Sequence, residues 1–225
     1  MILGITLGII TFINIFLGFH VWLQHRQETS NRIFLGLCLS IALWSGASMV
    51  NATVDSVSIG NIAEKTAFFG GLIIAFFFYL FCKYFLYRSV DLKISWSYFY
   101  VGLLMLWAYI TYGTDIFILY SERVDWYITT YHNPYAYIAW VITLFVPFII
   151  GLMQLRKKLK NSDCILRQKI KTIWTLLIVS IIGSFTFDVL FTGLHQYQFN
   201  NIGPFFSLLF DLSIVMLIYS RDTSK

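Results

Sequence analysis

The chain has 225 residues, 58% of them hydrophobic and 12% charged, with a net charge of +5 and a mean hydropathy of +0.73. Soluble domains carry about 25% charged residues, so half that share, with apolar runs near twenty residues, excludes a soluble protein and marks an integral membrane one. The surplus of positive charge flanks the apolar runs, which points to anionic lipid headgroups as partner and excludes nucleic acid.

Seven apolar runs follow one another at residues 2–23, 33–50, 66–87, 96–113, 135–155, 172–194 and 204–219. Each is close to the ~20 residues that carry a helix across a ~30 Å hydrocarbon core. Lipid offers no partner to unpaired backbone groups, so the runs are expected to be helices and are too long for barrel strands. The expected fold class is therefore an all-α integral membrane bundle of seven transmembrane helices. The first run lacks a basic flank and a small-residue cleavage site, so it reads as a retained span and not as a signal peptide. Its Gly4 and Gly8 form a GxxxG pair, a pattern common enough in apolar sequence to carry little argument.

Between the fifth and sixth runs lies the segment 156–171, RKKLKNSDCILRQKIK, which holds seven of the sixteen Lys and Arg residues of the chain. Basic clusters between spans stay on the cytoplasmic side. With the N-terminus outside, fourteen Lys and Arg fall on the inner side, against only Lys65 and Arg123 on the outer. The count supports seven spans, N-out and C-in. It divides the chain into a seven-helix membrane domain at 1–220 and a short cytoplasmic tail at 221–225.

On the outer side, 51–65 is polar and carries Asp55 and Glu64. Asn51-Ala52-Thr53 matches a glycosylation sequon but abuts the membrane, so it reads as a chance match. In 114–134, Phe117 to Tyr120 and Trp126 to Tyr131 are rich in aromatic and β-branched residues, with Ser121-Glu122-Arg123 between them. That pattern predicts a small outer β-hairpin between the fourth and fifth helices, the alternative being an irregular aromatic loop in the interface.

Cys38 lies inside a run, Cys82 near the end of one and Cys164 in the basic segment, which implies no disulfide framework. Cys82 reads as a buried apolar thiol, with acylation as the alternative. His20, His25, His132 and His195 are scattered without metal spacing and read as interface residues. No metal or cofactor is expected, and a retinal Schiff base is excluded because 204–219 contains no lysine.

Two acids stand inside spans, where a charge costs roughly 2.5–3.5 kcal/mol at a helix centre. Asp188 is expected about 9 Å and Asp211 about 10 Å below the outer ends of the sixth and seventh helices, hence at nearly equal depth. Neither has a Lys or Arg near its level, so they are expected to be neutral, hydrogen-bonded or facing a hydrated cavity. One reading makes them the polar floor of a pocket for a small amphiphilic ligand, with Trp44, Trp107, Tyr112, Trp140, Phe187 and Phe206 around them. The other makes them interhelical braces, bonded to Asn14 or to the Trp44 indole. Both stay open at this stage.

Asn31-Arg32-x-Phe34-Leu35, then Trp44, Arg167-Gln168 and Gly203-Pro204, in this layout and with the hairpin, resemble the N-terminal seven-helix sensor region of bacterial membrane histidine kinases. The homoserine-lactone quorum-sensing receptors have a related membrane part. The resemblance implies a receptor module that senses a small-molecule signal and moves its last helix. It implies no catalysis here, because the sequence after Tyr219 holds no phosphoacceptor helix or ATP-binding domain. The expected partners are membrane lipids, a small ligand, a cytoplasmic or membrane signalling protein, and in one arrangement a second copy of the chain. The competing reading is a small-molecule transporter or channel. A single intraspan proline, Pro147, and the lack of a visible repeat weigh against it.

Overall fold

The computed structural model describes residues 2–24, 26–85, 95–124, 127–160, 164–191 and 202–222. Helices occupy the described parts of all seven apolar runs. In chain order they are α1 (Ile2–Gln24), α2 (Thr29–Thr53), α3 (Val57–Tyr84), α4 (Ser95–Gly113), α5 (Pro134–Lys160), α6 (Cys164–Ser184) and α7 (Gly203–Asp222). The last turns of α6 continue as a π-helical segment, Phe185–Leu190. By length and composition, α1, α2, α3 and Pro134–Lys157 of α5 are long and apolar enough to cross a membrane. Trp174–Leu190 and Gly203–Met216 are shorter apolar stretches.

The helices run past their apolar runs, and this corrects the expected boundaries. The basic segment is mostly helix: its first residues end α5 and its last begin α6, with 161–163 outside the described residues. Lys and Arg are good helix formers, so a basic segment does not by itself end a helix. At the other end α3 begins at Val57, nine residues before its apolar run, capped by the Ser56 hydroxyl, which accepts from the Ile59 amide. The side-chain oxygen of Asn133 accepts from the Tyr135 and Ala136 amides ahead of α5, with Pro134 at the first helical position.

One face of α1 (Gly4, Leu7, Ile10, Asn14) is buried against α2, while Ile5, Ile9, Phe12 and Phe16 are exposed. An exposed apolar face on a long helix suits lipid, not water. Gly4 and Gly8 face Thr53 and Met49 of α2, so the GxxxG pair does mark a close helix approach. Asn31 fastens the same pair at its far end, its amide donating to the Val21 carbonyl at 3.2 Å. Cys38 and Cys82 are both fully buried.

Pro147 interrupts α5 and leaves the Thr143 carbonyl without its helical donor. The Tyr100 hydroxyl of α4 supplies a replacement at 3.1 Å, and the Trp107 indole donates to the Thr143 hydroxyl at 3.2 Å. The proline thus becomes the place where α4 is pinned to α5.

The expected hairpin is present as β1 (Ile118–Val124) and β2 (Tyr127–His132), antiparallel, with Val124 opposite Tyr127. Its turn is not at Ser121-Glu122-Arg123 as the composition suggested. Those residues belong to β1, paired with Thr130, Thr129 and Ile128, and the reversal falls at 125–126, outside the described residues. Cross-strand partners explain the difference: Ser121 and Glu122 stand opposite the polar Thr130 and Thr129, and the Arg123 side chain finds polar partners outside the ladder. Tyr131 donates to Glu122 at 2.7 Å and stacks on Tyr120 at 4.3 Å. Arg123 reaches Asp55 at 2.7 Å and the Val54 carbonyl at 3.2 Å, which holds the hairpin against the α2–α3 link.

Candidate functional site

A cavity of about 120 Å³ lies in the middle of the bundle, walled by α2, α3, α5, α6 with its π-helical segment, and α7. An engineered cavity of roughly 150 Å³ admits benzene, so this one is sized for a compact molecule of a few heavy atoms. It opens where two apolar clusters meet. One is built around Phe34, Phe78 and Ile214, the other around Phe68, Phe117 and Trp140.

Its polar groups come from opposite sides. Ser48 of α2 and Glu64 of α3 stand on one, and Ser180, Ser184, Asp188 and Ser207 of α6, the π-helical segment and α7 on the other. Aromatic faces fill the rest, with Trp44, Phe68, Trp140 and Phe145 prominent. Trp140 is fixed by its indole, which donates to the Phe68 carbonyl at 3.2 Å. Phe68 is held from behind by Phe117 at 5.2 Å and by His132 at 4.7 Å, so the base of the hairpin packs directly on a wall of the cavity. His132 therefore sits inside an aromatic cluster. His20 is exposed and lies 3.2 Å from Gln24, while His25 and His195 fall outside the described residues.

Asp188 sits in the π-helical segment, a local widening of the helix found often at functional sites. Its Oδ1 accepts the Gly203 amide at 3.1 Å, and the Ser184 hydroxyl donates to the Gly203 carbonyl at 3.2 Å. The first residue of α7 is thus held by two side chains from the helix before it. A Cβ at Gly203 would overlap the Asp188 carboxylate, so only glycine allows this approach.

The two acids do not stand level. Asp188 meets the first residue of α7, and Asp211 lies eight residues further along, about 12 Å at 1.5 Å per residue. Equal depth followed from placing the end of the sixth helix at residue 194, whereas α7 begins beside Asp188 itself. Asp211 is fully buried, with the Cys38 thiol 4.0 Å from its Oδ1, and it is not among the cavity's lining residues. Asn14, one expected brace, donates to the Ile10 carbonyl of its own helix.

Of the other candidates, Trp44 and Trp140 line the cavity with Asp188. Trp107 lies behind it, buried against Phe117 and bonded to Thr143, and Tyr112 donates to Thr66 at 3.0 Å on the bundle surface. Phe187 and Phe206 stack on each other at 5.6 Å beside the cavity wall.

Glu64 escaped sequence reasoning because it was assigned to an outer polar link. It is instead buried one to two turns inside α3. It accepts from the Asn51 amide and is hydrogen-bonded by the Thr130 hydroxyl, which joins α2, α3 and β2. Asn51 is therefore engaged inside the fold and is no accessible glycosylation site. The signal that could have found Glu64 is its register: Glu64, Ala67, Phe68, Gly71 and Ile74 recur at helical spacing and all line the cavity.

Over residues 6–222 the chain matches the family described as the N-terminal 7TM region of histidine kinase. None of the curated proteins compared with it matches.

Proposed function

The chain belongs to the family of N-terminal seven-transmembrane regions of histidine kinases, and from that premise we propose that it is a membrane sensor whose ligand site is the central cavity. A small molecule enters from the hairpin end, and the signal leaves along α7 to a cytoplasmic partner or output domain. The observation that carries this reading is the joint at Asp188 and Gly203. One carboxyl group both lines the cavity and holds the first residue of α7. A ligand that draws on that carboxyl competes with the helix for it. Helix α7 has 20 residues, so it extends about 30 Å toward the basic end.

A direct test fills the cavity. Ala67 is a lining residue, and Ala67→Leu adds three carbons to the space. With a kinase catalytic region joined after Asp222, this substitution should change autophosphorylation several-fold without any ligand. A change at the exposed Ile142, such as Ile142→Val, should not. Equal output from the two variants would remove the support for the cavity as the sensing site.

The same proposal orients the chain with its N-terminus and hairpin outside and its basic segment in the cytoplasm, as in a bacterial inner-membrane protein. Its support is the distribution of fourteen Lys and Arg against two. In a background without Cys164, Lys158→Cys should resist an impermeant thiol reagent on intact cells, while Glu122→Cys should react. Labelling at 158 would reverse the orientation.

A further inference from the structure

The hydrogen-bonding sense of the cavity wall identifies the class of ligand. Three lining serines have already used their protons: Ser180 donates to the Leu176 carbonyl at 2.9 Å, Ser184 to Gly203 at 3.2 Å and Ser207 to Pro204 at 2.6 Å. A hydroxyl whose proton is engaged offers only lone pairs to a guest. The Trp140 indole has likewise spent its one donor, on the Phe68 carbonyl. Glu64 and Asp188 add carboxyl oxygens, and among the described lining residues there is no Lys, Arg or His. The Ser48 hydroxyl and the Trp44 indole keep their protons, so the wall holds more acceptors than donors and carries no cation.

The apolar part points the same way. Trp44, Phe68, Trp140 and Phe145 present aromatic rings, whose faces carry the negative end of the ring quadrupole and attract cations. An anion would meet two carboxyl groups and ring faces, with no cation and only the Ser48 hydroxyl and the Trp44 indole as uncommitted donors among the described lining residues. An ammonium group brings three donors and no acceptor, the complement of what the wall offers.

We propose that the cavity takes a small organic ammonium ion, a compact apolar body of a few carbons carrying one protonated amine. The amine is held between the carboxyl groups and serine oxygens, and the body lies against the aromatic faces. This rests on the cavity being the ligand site and goes further by naming the chemistry it selects.

The test uses the full chain in lipid nanodiscs with three probes of one shape: cyclopentylamine, cyclopentanecarboxylate and methylcyclopentane. Binding is read as a thermal-stability shift and by equilibrium titration. Ala67→Leu serves as the filled-cavity control that subtracts partition into lipid. Cyclopentylamine should bind at least about ten-fold more tightly than either other probe, the factor carried by one charge-assisted hydrogen bond. Glu64→Gln and Asp188→Asn keep shape and acceptor oxygens. At least one of them should weaken amine binding about ten-fold and leave methylcyclopentane binding unchanged. Carboxylate binding equal to amine binding would overturn the proposal, as would amine affinity unchanged in both variants. If methylcyclopentane binds and the amine binds no better, the ammonium assignment falls and the cavity stands. If no probe binds differently from the Ala67→Leu control, the cavity itself falls as a ligand site.

Discussion

Gly203→Ala is expected to destabilise the protein by about 2–4 kcal/mol, the range of an overpacked buried contact that also loses its hydrogen bonds. The new methyl group would occupy the place of the Asp188 carboxylate. Backbone cannot yield there cheaply, because the Gly203 amide and carbonyl are both held, by Asp188 and Ser184. Either the carboxyl swings away from α7 or the start of α7 lifts off the π-helical segment. Removing the obstacle should reverse much of the effect: Asp188→Ala combined with Gly203→Ala should unfold at a higher denaturant concentration than Gly203→Ala alone. The measurement is reversible unfolding in mixed micelles, compared across the two single variants and the double one. A Gly203→Ala chain within about 0.5 kcal/mol of the parent would show that the helices part there without cost, and the proposed signal joint would lose its basis.

What was legible in the sequence follows from which forces leave a pattern along the chain. The helices were legible because lipid permits no alternative to internal backbone pairing, so apolar length alone specifies them. Family membership was legible from Asn31, Phe34, Trp44 and the Gly203-Pro204 pair, each of which proves to hold a contact or line the cavity. The site was legible only in part, and the two acids show why. Ser180, Ser184 and Asp188 are spaced four apart, and so are Gly203, Ser207 and Asp211. In a regular α-helix two such steps turn the side chain by about 80° from the starting face. That drift carries Asp211 out of the cavity wall and onto Cys38. In the other helix the second step passes through the π-helical segment, whose wider turn takes the drift back and returns Asp188 to the face of Ser180. No residue type announces a π-helical turn, so the sequence did not show that Asp188 alone of the two acids lines the cavity. Glu64 was missed for a related reason. A polar residue near the end of an apolar run reads as surface, and only the helix's start at Val57 with the hairpin folded over it turns that surface inward.

Glu64→Leu is expected to cost about 2–4 kcal/mol, more than a change at a lipid-facing position, even though it removes a buried carboxyl group and adds apolar bulk. The cost comes from the partners left behind. The Asn51 amide loses its acceptor, the Thr130 hydroxyl is left with the longer contact to the His132 ring at 3.4 Å, and both groups are buried. An orphaned buried polar group costs about 1–3 kcal/mol, whereas replacing both members of a pair with apolar groups is close to neutral. Glu64→Leu combined with Asn51→Leu should therefore recover part of the loss, and Glu64→Gln, which keeps an acceptor oxygen, should cost less than Glu64→Leu. The hairpin supplies a local readout, because this carboxyl bonds Thr130 of β2 to α3, beside the packing of Ile128 on Gly60 and of His132 on Phe68. In Glu64→Leu, amide exchange along β2 should quicken more than exchange in α5, which Glu64 does not touch. Equal stability of the Leu and Gln variants, with exchange in β2 unchanged, would mean that the carboxyl holds nothing together. Glu64 would then be left with ligand recognition as its only role.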